Sequence, residues 1–131
     1  MIFEFSVNSK KKTQLIDITP DVGRAVSESG LSDGLVTVYT PHTTAGVTIN
    51  ENADPSVQVD LAYAMDKLVP WNDKSYSHLE GNSAAHIKSS LVGCSESLIV
   101  KNGILLLGTW QGIFFCEFDG PRARLFYVKA I

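Results

Sequence analysis

Three histidines and the polar residues beside them are the part of this sequence best suited to chemistry. His42 follows a proline and precedes Thr43 and Thr44 in PHTTAGVTINEN, where a strand ends, and His78 and His86 lie in SHLEGNSAAH. Neutral imidazoles are preferred ligands of Zn²⁺ and similar metals, and three of them leave an open position for water or substrate. The alternative is that each histidine is an ordinary surface or half-buried side chain.

Two carboxylates and an amide accompany the histidines. Glu51 and Glu80 are candidate general acids or bases, or groups that orient the imidazoles, although Glu51 can equally be a loop charge before a helix. Asn82 is expected to cap a short helix, so that His78 and Glu80 precede the helix and His86 lies on its first turn. Free backbone N–H groups at that helix N-terminus favour an anion.

A second polar group lies near the C-terminus, in GTWQGIFFCEFDGPR. Trp110 either packs in the core or forms an aromatic wall for a flat ligand. Arg122 follows an Asp-Gly-Pro turn and is either a surface charge or a guanidinium that binds phosphate or carboxylate through two parallel hydrogen bonds.

The elements that must position these residues are predicted from hydrophobic periodicity and from turn and cap residues. Strand patterns dominate both ends of the chain, and helix patterns dominate the middle. The first two strands, separated by a turn of three lysines, are expected to form a hairpin. Asp54 followed by Pro55 predicts the start of a helix with Asp54 as its N-cap. The sequence therefore predicts one α+β domain over residues 1–131, with mainly antiparallel, sandwich-like sheets and about three helices.

Composition narrows the function classes. The 131 residues are 44% hydrophobic and 19% charged, which is typical of a globular protein. The net charge is −3 and the only basic cluster is the lysine turn, so we expect no nucleic-acid role. No apolar run is long enough to cross a membrane, and no signal peptide is visible at the start. Two cysteines are not a disulfide framework, which favours free thiols in the cytoplasm.

The motifs HTTAGVTINEN, HLEGNSAAH and GTWQGIFFCEFDGPR, in this order, resemble the YjbQ-like family over essentially the whole chain. Some members of that family carry the name secondary thiamine-phosphate synthase. The resemblance implies an α+β sandwich that assembles as a homotrimer. The residues that recur in the family fall here on His42, Thr43, Thr44, His78, Glu80, Gly81, Asn82, His86, Asp119, Gly120, Pro121 and Arg122.

With this resemblance, we expect a metal-dependent enzyme acting on a small phosphorylated metabolite. In thiamine-phosphate formation a thiazole nitrogen displaces pyrophosphate from a pyrimidine-methyl diphosphate. The metal ligands would be His42, His78 and His86, with Zn²⁺ preferred by the histidines and Mg²⁺ usual in diphosphate chemistry. The substrate contacts would come from Thr43, Thr44, Asn82, Trp110 and Arg122. Two alternatives stay open: a Zn²⁺ hydrolase with Glu51 or Glu80 as base, and a non-catalytic protein that binds a small anion.

Overall fold

The computed structural model describes residues 1–131, in which eight strands and three helices follow the order that the sequence predicts. The strands are β1 (Ile2–Asn8), β2 (Gln14–Asp17), β3 (Gly34–Tyr39), β4 (Ala45–Glu51), β5 (Ser95–Lys101), β6 (Ile104–Leu105), β7 (Gln111–Glu117) and β8 (Ala123–Ala130). The helices are α1 (Thr19–Ser29), α2 (Pro55–Leu68) and α3 (Ser83–Val92). None of the helices is long and apolar enough to span a bilayer.

Two antiparallel sheets form the core of the domain. One sheet has the strand order β1-β8-β3-β5-β6 and the other has the order β2-β7-β4. The main hydrophobic cluster lies between them and α1, and includes Val36, Val128, Phe115 and Phe126. The opposite face of the three-stranded sheet carries a second cluster that includes Phe114, Cys116 and Phe118 with Ala85 of α3. The predicted α+β fold with sandwich-like antiparallel sheets is confirmed.

Strand β7 is buried on both faces, which explains its sequence. Its residues from Gly112 to Glu117 are all buried, because odd positions face the main cluster and even positions face the second cluster. A strand covered on both faces has a continuous run of apolar residues in its sequence, whereas a strand covered on one face alternates apolar and polar residues. The charged residue at the end of this run, Glu117, is therefore an exception that needs a partner.

The predicted hairpin between the first two strands is wrong. Strand β1 pairs with β8 in the larger sheet, whereas β2 pairs with β7 in the smaller one. The lysine turn crosses from one sheet to the other, and the β7–β8 connection makes the same crossing. The two crossings are joined by hydrogen bonds from Ser9 N–H to the Arg122 carbonyl (3.0 Å) and from Gly120 N–H to the Lys12 carbonyl (3.0 Å). Periodicity locates the strands but does not show which sheet each one joins.

Gly120 lies where these two connections touch. A Cβ atom at this position would lie 2.2 Å from the Lys11 carbonyl oxygen and 2.7 Å from Ser9 Oγ. The backbone oxygen cannot move aside without shifting the lysine turn. The glycine is therefore required by close packing.

We predict that Gly120→Ala destabilises the fold by about 1–3 kcal/mol, because the added methyl group overpacks this contact. The matched control is Gly23→Ala in α1, where a Cβ atom meets nothing within 4 Å. That variant should be stabilised by about 0.5–1 kcal/mol, because alanine is the better helix former. Urea denaturation of both variants measures the difference. Equal stabilities of the two variants would contradict the close contact.

Candidate functional site

Three connections meet at one end of the sandwich and form a pocket of about 530 Å³ whose lining is polar except for Pro41. They are the β3–β4 connection, the segment that leads into α3, and the β7–β8 connection. The pocket is lined by Pro41, His42, Thr43, Thr44, His78, Glu80, Asn82, His86, Asp119, Arg122 and Arg124. The three histidines and most of the predicted contact residues thus lie on one cavity, although they are far apart in sequence.

His42 is fixed by a backbone hydrogen bond. The N–H of Leu125 in β8 donates to His42 Nε2 at 3.0 Å. Burial, and next the positive charge of Arg124, lower the pKa of His42 despite the opposing charge of Glu117. The imidazole is therefore held in its neutral form with Nε2 as an acceptor.

His78 and His86 form a separate pair. Their ring centroids are 5.3 Å apart and the rings meet edge to face. His78 lies in the exposed loop before α3, and His86 lies on the first turn of that helix. The predicted placement of these two histidines relative to α3 is confirmed.

The predicted metal set does not fit the residues as they are placed. No group of three His, Cys, Asp or Glu side chains is arranged to hold a metal ion. His42 Nε2 is occupied by the Leu125 N–H, so that only the Nδ1 atom of this ring remains for any other contact. A metal on His42, His78 and His86 stays a prediction, and we derive no chemical step through it.

Asn82 joins two carboxylates instead of capping α3 with its side chain. Its Nδ2 donates to Glu80 Oε2 at 3.0 Å and to Asp119 Oδ2 at 2.8 Å, whereas its side chain makes no capping bond. The turn that allows this contact has Gly81 at φ +78°, which favours glycine. The amide oxygen of Asn82 is fully buried and has no hydrogen-bond partner. Asn82 is thus the N-cap residue of α3 as expected, but its side chain makes no capping bond, and the N–H groups of Ser83 and Ala84 remain unpaired.

Arg122 is anchored at the rim of the pocket. Its Nε donates to the Asp119 carbonyl at 2.8 Å and its Nη2 to Asp119 Oδ2 at 3.0 Å. Nη1 has no partner in the protein, and the side chain is 49% exposed. The edge of the guanidinium that contacts Asp119 is not available to a ligand, which leaves Nη1 as the free end of the group.

Arg124 is anchored in the same way but is buried. Its Nε donates to Glu117 Oε1 at 2.8 Å, and its Nη2 donates to Glu117 Oε2 at 2.5 Å and to Thr44 Oγ1 at 2.7 Å. Both charged side chains are almost inaccessible, at 6% and 0% exposure. Asn82 Oδ1 is the one fully buried side-chain N or O atom that lacks a partner, so the unpaired Nη1 of Arg124 is open to the pocket.

Glu117 is ionised because three donors surround it. Burial alone would raise its pKa, but hydrogen bonds from Arg124, from Ser9 Oγ and from the Asp119 N–H outweigh burial and lower the pKa. Ser9 Oγ donates to Glu117 Oε1 at 2.7 Å and accepts from the Arg122 N–H at 2.8 Å. Ser9 thus connects the buried ion pair to the turn that carries the second arginine.

Two predicted site residues lie elsewhere. Glu51 is the last residue of β4 and pairs with Gln111, whereas the pocket is at the Ala45 end of the same strand. Six residue steps of a strand span about 20 Å, so Glu51 cannot reach the histidines. Trp110 is exposed beside Gln111 and does not line the pocket. The structure therefore corrects the expectation that Glu51 and Trp110 belong to the same site as the three histidines.

Sequence reasoning missed Arg124, Glu117 and Ser9. A signal for the first two was present, because Arg124 is in phase with Phe126 and Val128, and Glu117 is in phase with Phe115. A charge at a core-facing strand position indicates a buried ion pair. Ser9 carries no such signal.

Thr44 was predicted as a substrate contact, but its hydroxyl oxygen accepts from Arg124, so it positions the arginine.

The fold and the site together define a small α+β domain of two packed antiparallel sheets with a polar pocket at one end. A family model described as UPF0047 protein YjbQ-like matches residues 3–131. The chain belongs to this family. The UPF0047 protein MJ1081 of Methanocaldococcus jannaschii is 59% identical, with 100% of this chain and 94% of that protein covered.

Solved structures give the same result. An uncharacterized conserved protein of the YjbQ/UPF0047 family from Clostridium acetobutylicum is 56% identical, with a TM-score of 0.97 and coverage of 98% of this chain and 99% of that one. The hypothetical protein APE1520 of Aeropyrum pernix is 34% identical, with a TM-score of 0.95 and coverage of 100% and 98%. These similarities confirm the predicted family.

We predict that Glu117→Gln destabilises the fold by about 3–5 kcal/mol at pH 7, because it leaves the Arg124 charge buried without a counter-charge. The lowered folded-state pKa means that this carboxylate contributes stability above the unfolded-state value of about 4.3, and that this contribution is lost as pH falls through the folded-state pKa. The stability gap between wild type and variant should therefore narrow in acid. Urea denaturation between pH 7 and pH 3 measures it.

The control for this prediction is Glu28→Gln, since Glu28 is an exposed residue of α1. This variant should stay close to wild type at every pH. A gap between wild type and Glu117→Gln that is constant down to pH 3 would show that Glu117 does not carry the charge.

Proposed function

We propose that the pocket binds a small phosphorylated metabolite and promotes the departure of its phosphate group. The observation that carries the proposal is a set of fixed donors without acceptors on one cavity. Nη1 of Arg122 and Nη1 of Arg124, two residues that line this cavity, have no partner in the protein. A ligand that satisfies both guanidinium groups must be rich in acceptors, as a phosphate is.

Charge balance indicates how such a ligand is recognised. The charge of Arg122 is paired with Asp119 and that of Arg124 with Glu117, and Glu80 adds a further negative charge. The two paired arginines therefore add little net positive charge to the pocket. Recognition relies on directed hydrogen bonds from groups that the carboxylates hold in place, which favours geometry over simple ionic attraction.

The same donors suit the departure of a phosphate group. In the pyrophosphate displacement that the resemblance implies, negative charge grows on the leaving oxygen, and preorganised N–H donors stabilise it. Glu80 Oε1 has no protein partner and is exposed, so Glu80 is the carboxylate best placed for proton transfer, together with His78 or His86. Pyrophosphate binding without turnover would favour the alternative of a non-catalytic binding protein.

We also propose that the protein is a cytoplasmic homotrimer, as the resemblance implies. Apolar side chains on α2 and the following loop are strongly exposed, including Val59, Tyr63, Leu68 and Leu79, and another copy of the chain could cover them. Both cysteines are free, which suits a reducing compartment. Light scattering at micromolar concentration tests the assembly, and the 14.3 kDa mass of a single chain would contradict the trimer.

We predict that Arg122→Lys weakens the binding of pyrophosphate by about 10- to 150-fold, the value of one charge-assisted hydrogen bond. A lysine cannot hold Asp119 and a phosphate with separate edges of one planar group. Thermal stability should change little, because Arg122 is half exposed. Calorimetric titration of pyrophosphate into wild type and variant measures the difference.

The matched control is Arg24→Lys. Arg24 forms an exposed ion pair with Asp21 at the same spacing of three residues, but it does not line the pocket. This variant should bind pyrophosphate as wild type does. Equal loss in both variants, or no pyrophosphate binding by wild type, would contradict the proposed function.

A further inference from the structure

The His42 ring lies beside β8 at the position where β3 would continue if that strand were longer. Strand β8 pairs with β3 only as far as Tyr39 opposite Tyr127. Leu125 lies two residues before Tyr127 in β8, and N–H groups two residues apart on a strand point to the same side. The Leu125 N–H therefore points to the place where β3 would continue. The chain has turned away there through Thr40 and Pro41, and the His42 ring accepts this N–H instead.

The position of the ring nitrogen follows from this contact. A backbone N–H at 3.0 Å from a ring atom requires an acceptor there, which a ring carbon cannot provide. A neutral imidazole has one lone pair and one N–H. Because Nε2 supplies the lone pair, Nδ1 carries the proton.

The protonated nitrogen is free for a ligand. His42 lines the pocket and Nδ1 has no hydrogen-bond partner in the protein. Since Asn82 Oδ1 is the one fully buried side-chain N or O atom without a partner, Nδ1 of His42 is not fully buried, and the residue borders both this pocket and a second one beside α3. Arg122 and Arg124, whose Nη1 atoms also lack a partner, line the same pocket as His42.

We infer that His42 is a fixed hydrogen-bond donor to the bound anion and not a metal ligand, an inference that rests on the proposed function for the identity of the anion. A metal at Nδ1 would need the lone pair of that atom, and the ring proton would move to Nε2. Two N–H groups would then face each other at Leu125, and a part-buried backbone donor would lose its acceptor. The same conflict opposes protonation of the ring, in agreement with the lowered pKa of His42.

The direct test is nuclear magnetic resonance of the uniformly ¹⁵N-labelled protein. A long-range ¹H–¹⁵N spectrum shows which imidazole nitrogen carries the proton. We expect the His42 signals to show the proton on Nδ1, and to keep this pattern after addition of one equivalent of Zn²⁺. A proton on Nε2, or a Zn²⁺-induced change at His42 Nδ1, would overturn the inference.

Two substitutions test the roles of Nδ1 and Nε2 of His42 separately. In His42→Asn the amide nitrogen lies as many bonds from Cα as Nδ1, so the donor is retained and the bond to Leu125 is lost. In His42→Gln the amide oxygen lies as many bonds from Cα as Nε2, so the bond to Leu125 is retained and the donor at the Nδ1 position is lost. We expect His42→Gln to be the more stable variant but to bind pyrophosphate about 10- to 150-fold more weakly than wild type. His42→Asn should bind more tightly than His42→Gln.

The outcomes distinguish this inference from the proposed function. Equal pyrophosphate affinities of the two variants, or tighter binding by His42→Gln, would overturn the role of Nδ1 while leaving phosphate binding by the wild type intact. If wild type binds no pyrophosphate, the proposed function fails and the donor role fails with it. The spectrum of the wild-type protein needs no variant to fold, and it decides whether His42 is a metal ligand.

Discussion

The buried ion pair between Glu117 and Arg124 is the constraint on which the rest of the structure depends. Glu117 ends β7 in the smaller sheet, and Arg124 begins the core-facing side of β8 in the larger sheet. The chain changes sheet between these two residues, so the pair joins the sheets at the point where they separate. A buried charge without its partner costs several kcal/mol, and this contact therefore fixes how the two sheets meet.

The pocket is a consequence of that contact. The carboxylate of Glu117 accepts hydrogen bonds from Nε and Nη2 of Arg124, so that Nη1 of this guanidinium has no partner. Ser9 then connects Glu117 to the Arg122 backbone, and Asp119 holds the second guanidinium in the same way. Rigid anchoring of both arginines reduces the entropy lost when a ligand binds. The free Nη1 atoms are therefore positioned before any ligand arrives, which is what the proposed stabilisation of a departing phosphate requires.

Much of this arrangement could be predicted from the sequence. Turn glycines, helix-starting prolines and alternating apolar residues located nearly every element, and Asp54 caps α2 as expected through a 2.9 Å bond from the Ser56 N–H. The grouping of His42, His78, His86, Glu80, Asn82 and Arg122 on one cavity agrees with the resemblance. These features depend on local patterns or on motifs, which a single sequence displays.

The remaining features depend on contacts between distant segments. The exchange of partners between β1 and β2 requires knowledge of which sheet each strand joins, and periodicity is the same in either case. Asn82 has the composition of a helix cap, but two carboxylates from different segments compete for its amide. Glu51 lies close to His42 in sequence, yet the length of β4 separates them. Tertiary placement decided each of these cases.

The measurement that tests the central claim most directly is a crystal structure of the protein grown with pyrophosphate. The account predicts phosphate oxygens within hydrogen-bond distance of Nη1 of Arg122, Nη1 of Arg124 and Nδ1 of His42, with the bond between Leu125 and His42 unbroken. Pyrophosphate bound outside this pocket, or bound in it through a metal held by the three histidines, would contradict the account.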